Sequence, residues 1–370
     1  MTGHISEEAS LEEITESLYD QGATDGLPVI PPTEERVEEM LRGTDRPRDE
    51  VLGHLGNRDD PITVEGLATN AVMAGCKPIH LPVLIAGVEA LADPASNSIQ
   101  FSVSTGSWAY FWLLNGPVRD MLNVQCGTGA FGPGFRANRT MGRALGLAYK
   151  NTTRLHPGVK DMAVLGNPFK YSLFAGENEE LNPWDPYHVT HGYDAEESTI
   201  TLGGPNSFIG WTPYRNDAEH VVEGMVYHMS PNMFGKGHEV DGLHRGTIIH
   251  ALNPYNAEEL DEEGLTKREV KELLCESARV PKYKYARGGL GKDALETYPG
   301  NSLAPTLKQV YDPEHVKVLV IGGGGRVNAV IGRSIGGPVT KPIEFPDDWD
   351  ALLDTYRVDP SWVKDDQFYD

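Results

Sequence analysis

A glycine-flanked cysteine is the first feature of this sequence that could do chemistry. In the loop Gly75-Cys76-Lys77-Pro78, the thiol lies beside a lysine and shortly before a predicted helix. A nearby positive charge lowers the pKa of a thiol, and a helix N-terminus adds a smaller effect. The loop therefore predicts Cys76 as a nucleophile or redox thiol that Lys77 activates. The alternative is a small buried side chain, which is the commoner role of a free cysteine.

A second loop combines glycines with arginines at the start of a predicted helix. Its sequence is GPGFRANRTMGR, from residue 132 to residue 143. Helix N-terminal amides and guanidinium groups together suit a carboxylate or a phosphate. Arg136, Asn138 and Arg143 are therefore the candidate substrate-binding residues here. An ordinary capped helix with solvated arginines is the alternative.

A third loop follows a predicted strand and carries acid and base types. Glu177 and Asn178 come directly after the strand, and His188 and His191 follow within 15 residues. Glutamate and histidine are general acid–base residues, so Glu177 and His188 are predicted to move protons, with Asn178 binding substrate. His188 and His191 are also weak candidates for metal ligands, because they are three residues apart. A plain acidic surface turn is the alternative.

Two further patterns carry weaker signals. His238, His244 and His250 do not have the spacing of a helical zinc motif, so a zinc site is only a weak possibility there. The run Gly322–Gly325 follows the strongest predicted strand but lacks the six-residue dinucleotide fingerprint and the lysine–serine pair of a P-loop. It predicts a close backbone approach to a ligand or another loop, with Arg326 as a candidate substrate-binding charge.

Composition limits the class of protein. The 370 residues have a formal net charge of −22 and 3 cysteines, which are far apart. So acidic a surface repels phosphate backbones and excludes nucleic acid as an expected partner. The sequence has no window of about 18 apolar residues and no secretory signal pattern, so neither a membrane span nor export is expected. Few cysteines without a disulfide pattern favour a reducing cytoplasm.

The hydrophobic pattern predicts alternating strands and helices, hence an α/β fold with layered sheets and glycine-rich loops at the element ends. Three regions are expected. They are an N-terminal arm and helix over 1–45, a first α/β half over 46–205 and a second over 206–370. No linker composition marks the boundary between the halves, so a single domain is the alternative. Strands are predicted at Ser98–Val103 and Asp161–Leu165, and no fixed-period repeat is visible.

The sequence resembles a family of uncharacterised bacterial proteins over most of its length. The stretches that carry the resemblance are DGLPVIPPT at 25–33, AGCKP at 74–78, NGP at 115–117, GPGFRANRTMGR at 132–143, KYSLFAGENEELNPWDPYH at 170–188, NPYNAEELDEEGLTKREVKELLCESARVP at 253–281 and IGGGGRVNAVIGRSIGGPVTKPI at 321–343. Members resemble companions of small proteins with a selenocysteine- or cysteine-Gly-Ser-Cys motif. The resemblance implies thiol or selenol redox chemistry on a small molecule, with a separate redox protein as partner.

Three functions are therefore compared. The first is an enzyme acting on a small anionic organic substrate, of redox, lyase or hydrolase type, with Cys76 as its thiol. The second is a metal-dependent lyase or hydrolase that uses Glu177, His188 and His191. The third is a non-catalytic subunit of a thiol or selenol redox system. A homo-oligomer is expected in each case, and the sequence specifies no cofactor.

Overall fold

The computed structural model describes residues 10–56, 60–232, 247–281, 306–308, 310 and 312–362. Its elements follow the chain in the order α1 (Leu11–Asp20), α2 (Glu34–Leu41), β1 (Val51–Leu55), β2 (Asp60–Thr63), α3 (Val64–Ala74), α4 (Leu81–Ala92), α5 (Gln100–Val103), β3 (Phe111–Asn115), α6 (Val118–Met121), α7 (Arg136–Thr153), β4 (Phe174–Gly176), β5 (Thr199–Gly203), β6 (Ser207–Trp211), α8 (Ala218–Asn232), β7 (Ile248–Leu252), α9 (Pro254–Glu262), α10 (Lys267–Ser277), β8 (Arg279–Pro281), β9 (Thr306–Lys308), β10 (Val316–Val320), β11 (Asn328–Gly332), β12 (Val339–Pro342) and α11 (Trp349–Tyr356). The predicted α/β class is confirmed.

Two four-stranded sheets have the same pattern of strand directions. The first sheet has the order β4-β3-β5-β12 and the second has the order β10-β7-β11-β6. In each, the first pair is parallel and the next two pairs are antiparallel. The molecule is therefore built from two structurally equivalent halves.

The chain crosses between the two sheets twice in the described residues. The chain leaves β5 in the first sheet and immediately forms β6 at the edge of the second. Later it leaves β11 in the second sheet and returns as β12 at the edge of the first. The boundary predicted at 205/206 thus falls between strands of different sheets, and the C-terminal half supplies a strand to the N-terminal one.

Each sheet packs against helices with one face and against the other sheet with its opposite face, because side chains alternate along the strands. On β3, Trp112 and Leu114 lie in the core formed with α3, α4 and α7, whereas Phe111 and Leu113 lie in a separate cluster. That cluster also contains residues of β7, β10 and β11, so the two sheets pack face to face. The outer side of the second sheet packs on α8, α9 and α10. Strands covered on both faces explain the continuous apolar runs in the sequence.

The N-terminal arm belongs to the first half's core. Val29, Val37 and Met40 are buried in the same cluster as α3 and α7. Arg143 on α7 holds the arm by pairing with Asp25, with Nε 2.7 Å from Oδ2 and Nη2 2.8 Å from Oδ1. The arm is therefore a packed part of the first half.

Two strand predictions were wrong. Residues 100–103 form the short helix α5, which follows a turn of 3₁₀ helix at 94–96. Asp93 caps that turn, and a local hydrogen bond of this type competes with extended structure. Residues 162–165 form no strand, and Val164 and Leu165 are exposed, so their apolar run reflects surface rather than core.

In the part of the chain that the structure describes, no single helix is long and apolar enough to cross a membrane. Only α3 taken together with residues 78–92 meets the length and composition criteria, and those two segments are bent by 120°.

Candidate functional site

A cavity of about 460 Å³ lies at the N-terminus of α7. We call it the α7 cavity; its lining comprises Lys77, Ile79, His80, Leu122, Asn123, residues 134–137 and residues 356–362. Helix α7 has 18 residues, and no side chain caps its first turn, because the N-cap position is Phe135. The first-turn amides of a helix lack acceptors within the helix, and the dipole adds partial positive charge. The cavity therefore begins at an uncapped, anion-attracting helix end.

The turn that ends α3 places two groups of the cavity. Gly75 ends that helix with φ 90°, a conformation that favours glycine, and Cys76 N donates to Ala71 O at 3.0 Å. The chain then turns so that Lys77 and His80 line the cavity. The glycine of the AGCKP stretch thus directs the lysine and the histidine into the cavity lining.

His80 presents a hydrogen-bond donor to this cavity. Its side chain is only 3% exposed, and its Nδ1 accepts the backbone amide of Lys77 at 3.1 Å. Burial, together with the charges of Arg136 and Lys77, lowers the pKa of His80 to about 3. The imidazole is therefore neutral at physiological pH. Because Nδ1 is the acceptor, the proton lies on Nε2, which bonds to no other described group.

Two cations of the cavity, Lys77 and Arg136, are unpaired within the described chain, whereas Arg357 is paired with Asp359. Neither the Lys77 ammonium nor the Arg136 guanidinium has a hydrogen-bond or ion-pair partner there, and both line the cavity. Among the described residues, Asp359 supplies the only carboxylate of the lining. It is held by Asn123 Nδ2 at 2.6 Å and Arg357 Nε at 3.0 Å. Lys77, Arg136 and the Nε2 proton of His80 can donate hydrogen bonds to a ligand oxygen, so this part of the lining favours an anion.

Cys76 does not line this cavity, although its neighbour Lys77 does. The side chain is 7% exposed, and burial raises the pKa of the thiol to about 12, against smaller opposing effects of Thr140 and Arg143. The expected lowering by Lys77 does not occur, since desolvation is the larger effect. Cys76 is a packed side chain of the first core.

The other residues of the second loop hold the backbone together. Asn138 is fully buried and bonds to both the amide and the carbonyl of Gln125 and to the Phe174 carbonyl. Arg143 is taken up by Asp25. Of the three predicted substrate-binding residues in this loop, only Arg136 lines the cavity.

Glu177 lies at a different place, where β3 and β4 end together. We call this the carboxyl edge of the first sheet. The Glu177 side chain is fully buried, and its Oε2 accepts from Asn115 Nδ2 and from the Tyr187 amide, both at 2.7 Å. Its Oε1 accepts from Asn182 Nδ2 at 3.1 Å, and Lys267 Nζ is 3.9 Å away. These contacts use both oxygens, so Glu177 fixes the loop that follows β4.

Two more glutamates extend this buried network through Arg119. The guanidinium is 2.8 Å from Glu180 and 3.1 Å from Glu179, and it also donates to the Glu177 carbonyl at 2.8 Å. Burial raises the pKa of Glu179 despite the opposing charge of Arg119. Burial likewise lowers the pKa of Lys267. The sequence analysis missed Arg119 and Lys267, because neither occurs near Glu177 in the chain.

His188 and His191 of the third loop have different neighbours and do not form a common site. His188 is fully buried, neither ring nitrogen has a hydrogen bond, and its Nδ1 is 3.9 Å from Glu179 Oε1. His191 Nδ1 lies 2.7 Å from the Tyr187 carbonyl, and its Nε2 lies 3.3 Å from Lys317 Nζ. Within the described ranges, no group of three or more metal-ligating side chains is present.

Asn178 joins the two sheets. Its amide donates to the Val320 carbonyl at 2.8 Å, and its Nδ2 donates to the Gly322 carbonyl at 3.1 Å. The glycine run therefore packs against the end of β4. A side chain at Gly323 would collide with Thr128, so this run makes the close backbone approach that the sequence predicted, to another loop.

The remaining candidates lie elsewhere. Arg326 donates to Asn216 Oδ1 at 3.2 Å on the second half. His250 is buried on β7 with both ring nitrogens unpaired, and burial lowers its pKa to about 3. His238 and His244 fall outside the described residues.

Sequence reasoning also overlooked His80 as a site residue. The sequence did offer a signal, because His80 lies three residues after Lys77 and its ring can accept the backbone amide of that loop residue. Comparison with protein-family models, curated proteins and solved structures gives no match to this chain. The geometry of the α7 cavity is therefore the main basis for a functional proposal.

Proposed function

We propose that this protein is an enzyme that binds a small organic anion in the α7 cavity. The observation that carries the proposal is the set of groups around that cavity. Lys77, Arg136, neutral His80 and the uncapped end of α7 all offer positive charge or a hydrogen-bond donor. Groups of this kind stabilise carboxylates, phosphates and the oxyanions that form during their reactions.

His80 has the properties of a fixed donor to a substrate oxygen. A neutral imidazole that donates from Nε2 stabilises negative charge without itself changing protonation state at physiological pH. Arg136 and Lys77 supply the charge that draws the anion in. Cys76 is not needed in this proposal, since its buried thiol has a raised pKa. The acidic surface and sparse cysteines favour a cytoplasmic protein without a nucleic-acid partner.

Binding of simple anions tests the site. Calorimetric titration with phenyl phosphate should give saturable binding to the wild type, and Arg136→Ala should weaken it about tenfold, equivalent to 1.4 kcal/mol. Arg326→Ala is the matched control, because it removes the same charge from the second half and should leave the affinity unchanged. Equal affinity in wild type and Arg136→Ala would exclude this cavity as the anion site.

A turnover assay tests whether the protein is an enzyme. A small-molecule extract is incubated with wild type or with Arg136→Ala and compared by mass spectrometry. We expect at least one anionic compound to be consumed by the wild type and to persist with the variant. If no anion changes, the protein binds anions without acting on them.

A further inference from the structure

The α7 cavity is larger than an anionic headgroup requires. Its volume of about 460 Å³ falls within the roughly 300–1,000 Å³ typical of sites for organic small molecules. A phosphate or carboxylate group held by the donors would leave most of this space to the rest of the ligand. The remaining lining therefore determines what the anion is attached to.

That remaining lining is apolar and aromatic. Leu122, Phe135 and Val358 line the cavity beside the donors, and so does Trp362. The rings of Phe135 and Trp362 are 5.3 Å apart at an interplanar angle of 59°, and Trp362 is still 59% exposed. An indole that contacts a tilted ring on one side and is open on another can bury more of its surface against a bound ring.

The segment that carries the tryptophan is held over the cavity by one side chain. Asn123 Nδ2 donates to the Val358 carbonyl at 3.0 Å as well as to Asp359. Arg357 binds the same aspartate from within the segment. Residues 357–362 thus form one wall of the cavity, and these hydrogen bonds hold it in place.

From this lining we propose that the natural ligand is an aryl-bearing organic anion, with its oxyanion at His80 and Arg136 and its ring packed against the open side of the Phe135–Trp362 pair. This proposal rests on the proposed function and adds the class of the substrate. Two observations support it independently of charge, namely the cavity volume and the partly exposed aromatic wall. Stacking and apolar contact then add to the affinity that the headgroup provides.

Paired probes separate the two parts of the ligand. Acetate is compared with phenylacetate, and inorganic phosphate with phenyl phosphate, by calorimetric titration of the full chain. In the wild type, each aryl probe should bind at least tenfold more tightly than its headgroup alone. The better of the two aryl probes identifies the headgroup.

The aromatic wall is then tested directly. Trp362→Ala should remove most of the aryl advantage and leave the affinity for acetate and phosphate unchanged. Tyr214→Ala, which truncates an 82% exposed aromatic on the other half, is the matched control and should change neither. Thermal unfolding of each variant confirms that it is folded.

The outcomes distinguish this inference from the proposed function. Headgroups and aryl probes that bind equally well, or an aryl advantage that survives Trp362→Ala, would overturn the aryl assignment while leaving anion binding intact. Failure of all four probes to bind, or binding that ignores Arg136→Ala, would instead refute the proposed function itself.

Discussion

The carboxyl edges of the two sheets have the same strand arrangement and different chemistry. In each, an asparagine lies at the end of the first strand of the parallel pair, Asn115 as the last residue of β3 and Asn253 directly after β7. In the first sheet this asparagine bonds to the charged side chains of Glu177 and Glu179. In the second sheet it bonds only to neutral groups, which are Asn256, Asn328 and the Val327 carbonyl.

The two edges differ in whether they bury charged side chains. Buried charges cost desolvation energy and are kept only when their partners are in place. At the carboxyl edge of the first sheet such charges are Arg119 and Glu177 of the first half and Lys267, which α10 of the second half supplies. Around Asn253, hydrogen bonds between side-chain amides hold the equivalent strand ends of the second sheet. The two equivalent edges thus differ in chemistry, with buried charges at the first and neutral hydrogen bonds at the second.

The largest expected effect is at the charged edge. Glu177→Ala leaves Lys267 buried without its carboxylate and leaves the donors of Asn115 and Tyr187 unsatisfied. We expect the free energy of unfolding to fall by about 3–5 kcal/mol. Urea denaturation measures it, and a loss below about 1 kcal/mol would mean that the network is not structurally important.

A pH titration compares one buried histidine from each half. The folded-state pKa values of His80 and His250 are both lowered to about 3, whereas an unfolded histidine has a pKa of about 6.5. A lowered folded pKa gives stability that is present above pH 6.5 and is lost as the pH falls. Each histidine should therefore cost about 2 kcal/mol of unfolding free energy between pH 7 and pH 5.

Two variants measure these contributions separately. His80→Asn keeps an acceptor for the Lys77 amide, and His250→Leu fills the site of an imidazole without hydrogen bonds. Each should reduce the loss of stability between pH 7 and pH 5 by about 2 kcal/mol relative to the wild type. An unchanged pH dependence in either variant would show that its histidine has the same pKa in the folded and unfolded states.

The smallest expected effect is at the neutral edge. Asn253 caps α9 by accepting the Asn256 amide at 3.1 Å, and its own amide group donates to Asn328. Asn253→Ala should lower the free energy of unfolding by about 1–2 kcal/mol, as the loss of a cap and a neutral hydrogen bond does. A loss as large as that of Glu177→Ala would remove the proposed difference between the two edges.

The sequence predicted local features better than long-range ones. The helix that begins in the loop at 132–143 and the strand before Gly322 follow from patterns that act within a few residues, and both are present. The exchange of β6 and β12 between sheets leaves no such pattern, because it depends on pairing across more than 100 residues. The structural equivalence of the two sheets was likewise not predictable, because the sequence shows no matching repeat.

The site was partly predictable for the same reason. Arg136 was identified from its place at a helix start, which is a local feature. Lys77 was placed near the site but given the wrong effect, since burial raises the pKa of Cys76 and the opposing effects come from Thr140 and Arg143. Arg143 was taken for a ligand-binding residue because Asp25, its partner, lies 118 residues away in the sequence.

A crystal structure of the protein with phenylacetate or phenyl phosphate, whichever binds more tightly, tests the central claim most directly. We predict that an oxygen of the headgroup lies within hydrogen-bond distance of His80 Nε2, close to Arg136, and that the ring contacts Phe135 and Trp362. A ligand bound elsewhere, or an α7 cavity without ligand at a saturating concentration, would contradict the account.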